Sequence, residues 1–179
     1  MLRRVFTGIA VGFVLTAVCL VLPPRMPATM ATGEARKIAP DFALTDSKGA
    51  VVTLSHYRGK VVLLDFWATW CHGCKTEIPW FMEFNDKYRA KGLAVIGVAM
   101  DGEGWKVVKP FVEEKKMNYA VVAGNDDVAK QYGVEAMPVT LLIDREGKIA
   151  ASHAGVVDKD AWESKIRTLL KEGGENGVK

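Results

Sequence analysis

The chain has 179 residues, of which 49% are apolar and 25% charged, an ordinary globular composition. Its formal net charge of +3 comes from scattered basic residues, with no stripe of the kind that binds nucleic acid. Its three cysteines, Cys19, Cys71 and Cys74, exclude a disulfide-stapled scaffold.

The N-terminus reads as a targeting segment. Arg3 and Arg4 precede an uncharged run from Val5 to Leu22, which Pro23-Pro24 ends. As a helix, that run spans roughly 27 Å, close to a hydrocarbon core. The leading arginines favour an orientation with the rest of the chain outside the cytoplasm. A cleaved signal peptide is the competing reading, with Thr29-Met30-Ala31 as its passable site. The long apolar run favours an uncleaved anchor over residues 1–22, and both readings export the domain. Residues 23–37, rich in Pro, Ala and Thr, are expected to form a flexible linker. Residues 38–173 form the predicted domain, and 174–179 a tail.

Within that domain, Asp41 to Leu44 and Val51 to Leu54 flank the turn cluster Asp46-Ser47-Lys48-Gly49 and predict a hairpin. Val61 to Trp67 is nearly all apolar, as in a strand buried on both faces. From Cys74 to Ala90 the apolar residues Ile78, Phe81, Phe84 and Tyr88 keep helical spacing. Leu93 to Ala99 predicts a second buried strand. Trp105 to Met117 predicts a helix disturbed by Pro110. A short strand over Tyr119 to Val122 and a short helix over Asp126 to Tyr132 come next. Val139 to Ile143 and Lys148 to Ala151 flank Asp144-Arg145-Glu146-Gly147 and predict a second hairpin. Asp158 is placed to cap a last helix with the stripe Trp162, Ile166, Leu169 and Leu170. This order predicts an α/β fold in which helices flank a mixed central sheet.

Cys71-His72-Gly73-Cys74 sits where a buried strand turns into a helix. So short a loop gains little stability from closure, so the pair points to chemistry rather than stapling. A helix start carries unpaired N–H groups and a partial positive charge. Both favour a Cys71 thiolate that attacks a disulfide, after which the more buried Cys74 resolves the mixed disulfide. Structural zinc wants four ligands, and no second pair exists for it. Covalent haem wants histidine after the second cysteine, where Lys75 stands. No cofactor or metal is called for.

Phe66 to Lys75, with the sequence Phe-Trp-Ala-Thr-Trp-Cys-His-Gly-Cys-Lys, resembles the active-site segment of the TlpA/ResA-like thiol-disulfide oxidoreductases. These form an exported, often membrane-anchored branch of the thioredoxin superfamily. The resemblance extends over about Ala39 to Leu170 and includes Ala39-Pro40-Asp41-Phe42, Tyr132-Gly133-Val134, Met137-Pro138-Val139-Thr140 and Ile143-Asp144. It implies a thioredoxin-like fold with an N-terminal β-hairpin and a helical insertion. It implies that Pro138 is a cis-proline beside the cysteines, exposing the Met137 backbone for pairing with a client chain. Trp70 belongs to the motif, and Pro79 kinks the active-site helix. Glu103 resembles the acid that these proteins place near the site. Asp65 matches a buried aspartate of thioredoxin, six residues before the first cysteine, that helps deprotonate the second cysteine. The dipeptide His72-Gly73 departs from the common Gly-Pro or Glu-Pro. A protonated His72 favours the Cys71 thiolate and raises the reduction potential, while Gly73 removes the proline's rigidity.

The resemblance implies an enzyme that reduces or exchanges disulfides of extracytoplasmic proteins, with a membrane electron-donor protein and cytochrome c maturation as a client pathway. Two other functions compete. A thiol peroxidase wants Pro seven and Thr three residues before the reactive cysteine, where Leu64 and Ala68 stand. A copper chaperone would use the thiols as soft ligands.

Overall fold

The computed structural model describes residues 36–172. The expectations for segments 1–22 and 174–179, and nearly all of the linker, lie outside them. Among the described residues no helix is long and apolar enough to cross a membrane.

The first hairpin joins β1 (Ala43–Thr45) and β2 (Val51–Thr53) as a two-stranded antiparallel sheet. The main sheet contains β3 (Val61–Trp67), β4 (Leu93–Ala99), β5 (Ala120–Ala123), β6 (Val139–Ile143) and β7 (Ile149–Ala154). Its spatial order is β5-β4-β3-β6-β7. β3, β4 and β5 run parallel, while β6 and β7 run antiparallel to their neighbours. Four helices complete the fold: α1 (His72–Tyr88), α2 (Trp105–Lys115), α3 (Asp126–Gln131) and α4 (Lys159–Glu172). This is the expected mixed α/β architecture, with α2 and edge strand β5 lying between β4 and α3 in the chain.

Side chains of β3 alternate between two cores, as the pleat requires. Val62, Leu64 and Phe66 pack with Ile96, Val98, Phe42, Leu44 and Val128. Val61 and Leu63 face the opposite way, against Phe81 and Phe84 of α1 and Trp162 and Ile166 of α4. All seven residues of β3 are buried, which explains why the strand reads as an unbroken apolar run apart from Asp65. Asp158 caps α4 by accepting from Ala161 N–H at 2.7 Å.

Some boundaries differ from the sequence expectation. α1 begins at His72, two residues earlier than its apolar periodicity, because Cys71 caps it. α2 stops at Lys115, where Lys116 adopts a left-handed φ of 51°. Pro110 lies inside α2, removing the N–H that would pair with the carbonyl one turn earlier. β7 runs three residues further than predicted, to Ala154, although its last residues are exposed.

The two hairpin turns are built alike. Asp46 Oδ1 accepts from Lys48 N–H and Ala50 N–H, both at 2.8 Å. Asp144 Oδ1 accepts from Glu146 N–H at 3.0 Å and Lys148 N–H at 2.8 Å. Each turn ends on a glycine at positive φ, 81° at Gly49 and 76° at Gly147. Their surroundings differ. Nothing lies within 4 Å of a side-chain carbon built at Gly49, whereas one built at Gly147 falls 1.7 Å from Arg58 Nη1.

Candidate active site

The C-terminal end of β3 leads through Ala68, Thr69 and Trp70 to the cysteines at the start of α1. Cys71 and Cys74 are joined as a disulfide. Cys71 is the N-cap of α1, and its sulfur accepts from Cys74 N–H at 3.2 Å. The same N–H, with the helix start behind it, stabilises a thiolate once the bond is reduced. Cys74 is fully buried and Cys71 slightly exposed, so the first sulfur is the one a partner reaches.

Around the pair, Trp70 is exposed and His72 is an exposed residue of the first helical turn. The Met137–Pro138 peptide bond is cis, and Met137 packs against the cluster that holds both cysteines. Gly73 sits where nothing larger fits without movement. A side-chain carbon there would meet Val156 Cγ2 at 2.9 Å and Pro138 Cδ at 3.3 Å. Glycine therefore draws the turn after β7 and the cis-proline tightly against α1.

Behind the disulfide lie two buried acids. Asp65 is wholly buried, and neither carboxyl oxygen has a hydrogen-bond partner. It pairs in register with Gly97 of β4 and Thr140 of β6, on the sheet face that α1 covers. Gly97 keeps this row open: a side-chain carbon there would fall 2.8 Å from Trp67 Nε1 and 3.2 Å from Tyr119 Cε2. Burial first, then the nearby Glu77, pushes Asp65 well above the usual carboxylate range.

Glu77 is the acid that the sequence reading missed. It lies one helical turn beyond Cys74 and is completely buried. Its Oε1 accepts from Val157 N–H at 2.7 Å, while Oε2 has no partner. Burial pushes its carboxyl up to about 7, although the Val157 hydrogen bond works the other way. The available signal was phase. A glutamate beside Ile78, three residues after Cys74, falls on the stripe that continues through Phe81, Phe84 and Tyr88.

Glu103 stands in the loop between β4 and α2. It is exposed, and its carboxylate pairs with Lys106 at 3.0 Å. Among the described residues, no hydrogen bond or ion pair links it to the cysteines. The acid that shapes the loop is Asp101, which accepts from Thr69 N–H at 3.1 Å and from the Thr69 hydroxyl. It thereby fixes the approach to Trp70 and Cys71. No group of three or more metal-ligating side chains forms among the described residues.

Comparison with known proteins agrees with this geometry. The AhpC/TSA family model matches residues 35–152. Thiol-disulfide oxidoreductase ResA of Bacillus thuringiensis is 34% identical over 137 residues, covering 76% of this chain and 79% of ResA. The chain belongs to the ResA-like thiol-disulfide oxidoreductases. ResA of Bacillus subtilis is 33% identical over 140 residues, covering 78% of this chain and 77% of that protein. Among solved structures, a Chlorobium tepidum protein assigned as thiol:disulfide interchange protein DsbE has a TM-score of 0.72 and 38% identity, covering 76% of this chain and 98% of that one. A thiol:disulfide interchange protein from Bacteroides has a TM-score of 0.69 and 28% identity, covering 80% and 95%. The ResA-like chain is thus a thioredoxin-fold disulfide oxidoreductase built on the Cys71–Cys74 pair.

Proposed function

We propose that this oxidoreductase works outside the cytoplasm, held to the membrane by its N-terminal apolar segment. There it reduces or exchanges disulfides of extracytoplasmic proteins. The haem-site cysteines of an apocytochrome c are one such client, and a membrane dithiol protein returns the electrons. The pairing of a helix-capping Cys71 with buried acids carries the exchange chemistry, and the apolar run from Val5 to Leu22 supports the location.

Exchange then runs in two steps. The Cys71 thiolate attacks one sulfur of the client disulfide, forming a mixed disulfide and releasing the client's other sulfur as a thiolate. Cys74 gives its proton to the acid pair, in which Glu77 is near half-ionised at neutral pH. The Cys74 thiolate attacks Cys71 Sγ and displaces the client's second thiolate. The client gains two electrons, and the Cys71–Cys74 bond closes. The donor's dithiol reopens it by the same chemistry in reverse. Asp65, whose proton affinity rises with its burial and with the charge on Glu77, is the second acceptor of the pair. Trp70 and the Met137–Pro138 edge offer the client an apolar contact and backbone pairing.

The test is turnover of an insulin disulfide and of a peptide carrying an oxidised Cys-x-x-Cys-His haem site, with dithiothreitol as electron source. Cys71→Ser abolishes both, and Cys74→Ser accumulates a mixed disulfide that non-reducing electrophoresis detects. Full turnover in Cys71→Ser overturns the mechanism. Turnover of insulin but not of the haem-site peptide overturns the client assignment alone.

A further inference from the structure

The end of the domain furthest from the disulfide is basic. α1 leads away from Cys71, and its last turn lies about 25 Å from its first by helical rise. There Lys87 and Tyr88 of α1, Lys91 just after it, and Arg167, Leu170 and Lys171 of α4 line a groove of about 430 Å³. Lys87, Lys91, Arg167 and Lys171 are exposed. Lys87 pairs with Glu163, whereas Lys91, Arg167 and Lys171 make no ion pair among the described residues. Around the disulfide the charges are mixed: His72, Lys75 and the Glu103–Lys106 pair.

The chain enters the domain at this same end. Arg36 bonds to Glu172 in the last turn of α4, at 2.9 Å, and to Asp144 at 3.0 Å. Thirteen residues separate Arg36 from Leu22, the last residue of the apolar segment. Even fully extended, they reach at most about 45 Å. A membrane-held segment would tether the domain through this end.

We propose that this basic end is a docking surface for anionic phospholipid headgroups, which turns the cysteine pair away from the membrane. The proposal rests on the membrane-held reading above. Lys91, Arg167 and Lys171 supply the charge, and Tyr88 and Leu170 give the groove an apolar floor. Each cation near an anionic leaflet is worth roughly fivefold in partitioning, so reversing three weakens docking by roughly a hundredfold or more. Because the attraction is electrostatic, it fades as the Debye length shrinks to about 3 Å in 1 M salt.

The test uses the full chain with nanodiscs of phosphatidylcholine alone or with one third phosphatidylglycerol. Surface lysines are acetylated by a water-soluble reagent and read by mass spectrometry. Lys87, Lys91 and Lys171 are expected to react at least fivefold more slowly on anionic discs, while Lys75 and Lys106 react equally on both. The protection is lost in 1 M salt. In the Lys91→Glu, Arg167→Glu, Lys171→Glu variant it is lost at Lys87, with insulin turnover unchanged. Equal rates at the three basic-end lysines on both discs, or protection that survives the variant, overturn the proposal. Retention by phosphatidylcholine discs reports the membrane-held segment separately. Retention by anionic discs alone, with protection, overturns that reading and supports the surface. Retention by neither overturns both.

Discussion

Replacing Glu77 by Gln keeps the side-chain length and the acceptor for Val157 N–H but removes one buried ionisable group. In the folded chain burial pushes Glu77 up to about 7, against an ordinary value of 4.5. Below 4.5 both folded and unfolded chains hold the proton, and no stability is lost. Between 4.5 and 7 the folded chain keeps a proton that the unfolded chain has released. Stability therefore falls as pH rises, by about 1.4 kcal/mol per unit. Above 7 both forms are ionised and the loss is complete. From pH 5 to pH 8 the loss from Glu77 is about 2 to 3 kcal/mol. Asp65, raised by burial and by Glu77, contributes a loss of the same sign. Urea unfolding of oxidised wild type and Glu77→Gln at pH 5 and pH 8 measures this. The variant is expected to gain on wild type by about 2 to 3 kcal/mol across that interval, with unchanged m-values. A gap that stays constant with pH would refute the reasoning, because it would mean that Glu77 is already ionised in the fold at pH 5.

Asp65→Asn is expected to slow resolution of the mixed disulfide near neutral pH and leave thiolate formation at Cys71 unchanged; equal rapid-quench resolution rates across pH would remove Asp65 from the proton path. His72→Gly is expected to lower the reduction potential by about 30 mV. Titration against glutathione checks this, and an unchanged potential would mean that the side chain of His72 does not act on the Cys71 sulfur. Gly73→Ala gains helix propensity of up to about 1 kcal/mol but brings a carbon against Val156 Cγ2. In a double-mutant cycle with Val156→Ala, the gain should emerge only when Val156 is shortened, and additive effects would contradict the contact.

Much of the fold is legible in the residues because its signals are local. β3 and β4 have the bounds their apolar runs mark, and the Asp-x-x-Gly clusters place both hairpin turns. Asp65 stands out as a charge inside an apolar run, and its burial was legible through the resemblance to thioredoxin, since the run alone also allows a strand-end aspartate turned to water. Glu77 was hidden for the opposite reason. Helical periodicity is read from apolar residues, and a glutamate in the stripe looks like an interruption, although its phase puts it in the core. Glu103 and Asp101 show a further limit. Two acids in one loop are alike in sequence, and only the path of the chain decides that Asp101 meets Thr69 while Glu103 meets Lys106. The early start of α1 likewise depends on a cap made by Cys71, which apolar spacing cannot register.

The two matching hairpin turns bear on how the protein can be handled. A fluorophore, affinity tag or inserted peptide placed next to Gly49 meets open space, beside a two-stranded sheet that carries none of the cysteine chemistry. A side chain placed at Gly147 must push the Arg58 guanidinium aside, in a turn whose Asp144 holds Arg36 where the chain enters the domain. Although the residues of the two turns are almost interchangeable on paper, the first is the freer site for attachment.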